Sequence, residues 1–140
     1  MDEATPSQRL LDIEEIKQLK ARYFRCLDGK DWDGLADVFT ADAVLEAQGN
    51  RREGRENIVG FIARFLDGVV SVHHGHMPEI TVTGPDSAAG VWAMFDYLTY
   101  ATDPPSGFRG YGHYLEEYVR DDGRWRIRRL ELTRIRVDPF

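Results

Sequence analysis

The sequence predicts a single α+β domain, with helices first and a curved, mostly antiparallel sheet after them. Three observations carry this. Apolar residues recur at helical spacing until about residue 67, and from residue 72 the pattern turns strand-like, rich in Val, Ile, Thr, Tyr and Trp. The strand-like runs are joined by short turn sequences, which imply an antiparallel meander rather than a parallel βαβ sheet. At 140 residues, 42% hydrophobic and 30% charged, the chain has the size and composition of one globular domain.

Each element follows in order. Residues 1–11 are expected as a flexible tail, leaving 12–140 as the domain. Asp12 followed by Glu15 has the spacing of a capping box. Behind it Ile13, Ile16, Leu19, Tyr23 and Leu27 form an apolar stripe that Gly29 ends, so the first helix is expected over 12–28. A second helix is expected at about 31–39, with Trp32, Leu35 and Phe39 on one side. Ala43-Val44-Leu45 is a short strand, and 55–67 a third helix with Ile58 and Ile62 inward. Long strands follow at 72–83, 87–100, 108–120 and 124–137. Their separators are Gly84-Pro85-Asp86, a segment at 103–107 and Asp121-Asp122-Gly123, all turn chemistry.

Composition excludes several function classes. A net charge of −6 gives no electrostatic footprint for nucleic acid. The basic residues of 124–136 alternate with Trp125, Ile127, Leu130 and Leu132, as on the solvated face of a strand. The lone Cys26 lies in a helical pattern and is expected as a small buried hydrophobe. No run of eighteen apolar residues occurs, so no membrane span is expected, and a reducing cytoplasm fits. In 87–100 both faces are apolar: Val91, Ala93, Phe95 and Tyr97 on one, Trp92, Met94 and Leu98 on the other. Helices can cover one face, and a second copy of the chain is expected to cover the other, giving a homodimer.

Some residues do not belong in a bland core. Asp96 shares a face with Trp92, Met94 and Leu98, where a carboxylate needs a partner. The run Val72-His73-His74-Gly75-His76 carries three histidines in four residues. As metal ligands they are poorly arranged: His73 and His76 point to opposite faces of a strand, and beyond His113 there is no third ligand, so no metal is expected. As proton carriers they fit better. Tyr23 lies on the apolar stripe of the first helix, so its hydroxyl needs a partner. Asp28 lies near that helix's C-terminus, where the dipole disfavours a negative charge. Histidine, carboxylates and a tyrosine hydroxyl are what moving a proton next to a carbonyl requires. Gly110-Tyr111-Gly112 lies inside a strand and is no dinucleotide fingerprint.

These residues carry a resemblance. The stretch 12–32 is similar to the opening helices of SnoaL-like proteins, within the nuclear-transport-factor-like superfamily. Bacterial bile acid 7α-dehydratase is the nearer likeness and fungal scytalone dehydratase the more distant one. His73-x-Gly75-His76-x-Pro78-Glu79-Ile80, the strand from Trp92 to Asp96 and Gly123-x-Trp125 continue the match. The resemblance implies a cone-shaped barrel, its curved sheet wrapped around the N-terminal helices. It also implies a cofactor-independent active site. Tyr23 and Asp28, five apart, His73 and Asp96, 23 apart, and Arg134, nine after Trp125, stand where the dehydratase has its tyrosine, aspartates, histidine and arginine.

The expected function is therefore a dehydratase-like lyase, or an isomerase or cyclase, acting on a hydrophobic carbonyl compound of steroid or polyketide type. His73, oriented by Asp96, would remove the proton. Tyr23 would bind the developing enolate or the departing hydroxyl, and Asp28 would support Tyr23 or His73. Arg134, Trp92, Tyr114 and His74 are expected to contact the substrate. Strict strand alternation places His74, not His73, on the face of Ile80 and Val82; a bulge near Gly75 or Pro78 would reverse that. The alternative is a binding module that holds a small molecule without turning it over.

Overall fold

The structure, a computed structural model, describes residues 4–140. Three helices, α1 (Pro6–Asp28), α2 (Trp32–Val38) and α3 (Arg55–Phe65), accompany six strands. The strands are β1 (Phe39–Ala47), β2 (Asn50–Glu53), β3 (Val70–Gly84), β4 (Ser87–Tyr100), β5 (Ser106–Asp121) and β6 (Arg124–Pro139). They form one sheet in the order β2-β1-β6-β5-β4-β3. Strands β3 to β6 are the antiparallel meander that the turn sequences demand, and β1 joins β6 in parallel. Among the described residues no helix is long and apolar enough to cross a membrane.

The sheet is curved and unclosed, with β2 and β3 as its edges. Helix α1 contacts both β3 and β6, although β4 and β5 lie between them. A helix about 10 Å wide reaches strands some 14 Å apart only if the sheet bends around it. Ala88, Trp92, Met94, Asp96 and Leu98 of β4 face inward, toward a core built with Ile16, Leu19, Tyr23 and Leu27 of α1. The alternate residues Val91, Phe95 and Tyr97 are half-buried on the outer face.

Helix α1 begins six residues ahead of its expected start. Thr5 caps it, accepting from the Gln8 N–H at 3.1 Å, and Pro6 opens it where a missing N–H is harmless. Residues 6–11, expected as tail, are thus helical; residues 1–3 lie outside the described residues. Asp12 is not a cap. It is buried and accepts from Arg120 Nη2 at 2.9 Å, Gln8 Nε2 at 3.1 Å and Trp125 Nε1 at 3.2 Å, tying α1 to β5 and β6. Burial alone would raise its carboxyl; Arg120 and the other donors outweigh that and hold it below its ordinary value. Phe39, expected at the end of the second helix, opens β1 instead.

Two irregularities decide which side chains reach the interior. Gly75 opposes Met94 and Pro78 opposes Trp92, so two residues of β3 face one of β4. This is the bulge that reverses parity. It turns His73 and Ile80 to the same face although they are seven residues apart. Gly75 itself has no room for a side chain, since a Cβ there would lie 2.5 Å from Phe24 Cε2. In β6 a second slip occurs where Glu117 opposes Arg129 and Tyr118 opposes Ile127. It brings Trp125 and Arg134 to one face, which their odd spacing would forbid in a regular strand.

Candidate active site

The cone holds a cavity of about 270 Å³. Its walls are mostly apolar, with Leu27, Phe61, Ile62, Phe65, Phe108 and Leu132 among them. Tyr23, His73, Asp96, Tyr114 and Arg134 supply polar groups to the same lining. An apolar pocket with a few convergent polar groups is the usual form of a small-molecule site.

Asp28, at the last turn of α1, meets β3 as that strand enters the sheet. One of its carboxylate oxygens accepts the His73 backbone N–H at 2.8 Å. The other lies 2.7 Å from His73 Nδ1 and accepts the Ser71 hydroxyl at 3.0 Å. Those donors are what hold an aspartate at a helix end that disfavours it. A carboxylate only accepts, so Nδ1 carries the hydrogen of this contact, and in the neutral imidazole that tautomer leaves the lone pair on Nε2. Nε2 faces Asp96, whose Oδ2 is 3.8 Å away, too far for a hydrogen bond.

Asp96 belongs to another pair. Arg134 Nη1 and Nη2 donate to its two oxygens at 2.7 and 2.8 Å, a bidentate ion pair whose carboxylate side chain is only 3% exposed. Glycine at 110 makes room for it, because a Cβ there would collide with both Asp96 Oδ1 and Arg134 Nη1. The expected order is thereby corrected: Asp28, not Asp96, holds the imidazole. Asp96 stands on the opposite side of the ring, where a protonated Nε2 would face it.

Tyr23 and Tyr114 are both buried, with rings edge to face and centroids 6.0 Å apart. Burial pushes both hydroxyls well above their ordinary range, so they are donors and not phenolates near neutrality. Two expected contacts fall elsewhere. His74 pairs with Phe95 on the outer face, away from the cavity, because the bulge reverses its parity. Trp92 is buried but does not line the cavity; its Nε1 donates to the Tyr118 hydroxyl at 2.8 Å.

Residues 8–131 match the family model described as a SnoaL-like domain. The chain belongs to this family. Among solved structures, the SnoaL-like chain is similar to Rv3472, a protein of unknown function from Mycobacterium tuberculosis. The two are 28% identical over 94% of this chain and 77% of that one, with a TM-score of 0.81. It also shares its fold with a scytalone dehydratase-like protein of Novosphingobium aromaticivorans, at 20% identity, 97% and 92% coverage and a TM-score of 0.89. A third is hexachlorocyclohexane dehydrochlorinase LinA-type3 of Novosphingobium barchaimii, at 18% identity, 94% and 92% coverage and a TM-score of 0.83.

One part of this SnoaL-like interior went unseen in the sequence. Lys20 and Glu116 form an ion pair at 2.7 Å with both side chains fully buried. The signal was there: Lys20 falls four after Ile16 and three before Tyr23 on the apolar stripe, and Glu116 alternates with Tyr114 and Tyr118 on the inward face of β5.

Proposed function

We propose that the chain is a cofactor-independent lyase acting on a hydrophobic carbonyl compound of steroid or polyketide type. The observation that carries this is the His73 ring at the cavity wall, with Nδ1 on Asp28 and a free Nε2 turned toward Asp96. In this reading Nε2 takes a proton from the carbon next to the carbonyl, or vinylogous to it. The electron pair moves onto the carbonyl oxygen as an enolate, which Tyr23 and Tyr114 stabilise by donation. The enolate then collapses with formation of a C=C bond and departure of a β-hydroxyl, which leaves as water with the proton held by His73. The imidazolium lies between two carboxylates, Asp28 and Asp96, during the interval.

Two structural neighbours carry names of elimination enzymes, which agrees with this reading at the level of fold. Reprotonation of the same enolate would give an isomerase, and its attack on a second carbonyl a cyclase. The test is a panel of β-hydroxy ketones on steroid and polyketide frames, screened first by thermal shift and then by mass spectrometry. Loss of water from a bound member is the expected result. Binding with no turnover across the panel would instead make the protein a carrier or sensor of such compounds.

The same proposal includes a homodimer through the outer sheet face, where Val91, Phe95 and Tyr97 are half-buried in one copy. Sedimentation at micromolar concentration is expected to give twice the 16.1 kDa chain mass; a monomer alone would refute it.

A further inference from the structure

Lys20 does not line the cavity, yet it touches the two residues that supply its hydroxyls. Its ammonium sits 3.6 Å from the centroid of the Tyr23 ring and 3.7 Å from that of Tyr114, with Phe24 at 4.9 Å. Glu116 holds it there at 2.7 Å. The other oxygen of Glu116 accepts from the Tyr118 hydroxyl at 2.7 Å, which in turn accepts from Trp92 Nε1. All four side chains lie within the core. As a stabilising device such a pair is poor, since neutral residues of similar shape often serve a core as well or better. Its placement is specific in another way: one cation lies against the faces of both cavity phenols.

We propose that Lys20, anchored by Glu116, is a positioning residue for Tyr23 and Tyr114. It clamps the two rings and lends their hydroxyls positive potential, so that together they favour an oxyanion over a neutral oxygen in the cavity. The inference deepens the proposed function and rests on its reading of the two tyrosines as oxyanion donors. A phenol that donates to an oxyanion takes on negative charge at its own oxygen, and an ammonium over its ring stabilises that charge. Glu116 opposes this effect, as do Asp28 and Asp96 beyond it, but Glu116 is turned to Nζ and to Tyr118, and Asp96 is matched by Arg134. Burial lowers the Lys20 ammonium to about 8, against the pull of Glu116, so it is largely charged at pH 7.

The test compares two small aromatic probes at pH 7 by equilibrium titration of tryptophan fluorescence: 2,4-dinitrophenolate, and 1,3-dinitrobenzene, which has the same frame without the oxyanion. In the double variant Lys20→Met/Glu116→Gln, phenolate affinity is expected to fall about tenfold while the neutral probe stays within about twofold. Equal loss of both probes would show a merely structural role and overturn the proposal, as would unchanged phenolate binding. Should that variant not fold, Lys20→Gln/Glu116→Gln keeps a hydrogen-bonded amide pair and is read the same way. If the unaltered protein binds neither probe, the reading of the cavity as an oxyanion site falls, and this inference with it.

Discussion

Asp28→Asn is expected to lower kcat/KM on a turned-over substrate by about 10²–10⁴-fold, the range over which a placed base normally acts. Asparagine has the size of aspartate but carries no charge to balance the imidazolium. It also presents an NH₂ where the structure requires an acceptor for Nδ1, Ser71 and the His73 backbone. The imidazole would then lose both its tautomer and its orientation. His73→Ala should fall by a similar factor, and the double variant little further, because the two residues act as a unit. Asp96→Asn should do less, since Asp96 is 3.8 Å from Nε2 and its charge is already matched by Arg134. Full turnover in Asp28→Asn, with an unchanged melting curve, would remove His73 from the role of base.

The largest effect on stability is expected at Arg134. Arg134→Met strands the Asp96 carboxylate in the core without its bidentate partner, and removing one member of a buried pair typically costs about 3–5 kcal/mol. Urea unfolding should show that loss as a lower midpoint at unchanged slope. Gly110→Ala should act in the same direction, by pushing the pair apart rather than deleting half of it. The double change Asp96→Leu/Arg134→Met should regain most of the stability while removing this charge pair from the cavity lining. A loss below about 1 kcal/mol in Arg134→Met would mean that Asp96 has another way to be satisfied.

The order of helices and strands was legible because hydrophobic period and turn chemistry are local properties. Edges and starts were not. Strand β2 (Asn50–Glu53) is polar at every position, and β1 owes its length to parallel pairing with β6, whose partner residues lie 85 to 88 positions further along the chain. Helix α1 begins at a Thr5-Pro6 cap, while Asp12, which with Glu15 has the spacing of a cap, accepts from Arg120 and Trp125 instead. At the site, residue types at family spacings pointed to Tyr23, Asp28, His73, Asp96 and Arg134, and the structure gathers all five about one cavity or against its histidine. Which carboxylate holds the imidazole was not readable, because it depends on how α1 docks on β3. Lys20 was passed over because a lysine in an amphipathic helix is normally solvated, and only Glu116 on a distant strand makes its burial possible.

The slip between Gly75 and Pro78 also makes the site a matter of counting. Substitutions change what a residue is, whereas a residue inserted ahead of the slip changes where every residue before it points. Met77, 89% exposed, is the surplus position: without it the ladder would run straight, and His73 would still oppose Asp96. One residue added between His73 and Gly75 would instead send His73 outward and bring a different side chain before Asp96. The place of the histidine in this cavity is therefore encoded in chain length as firmly as in residue identity.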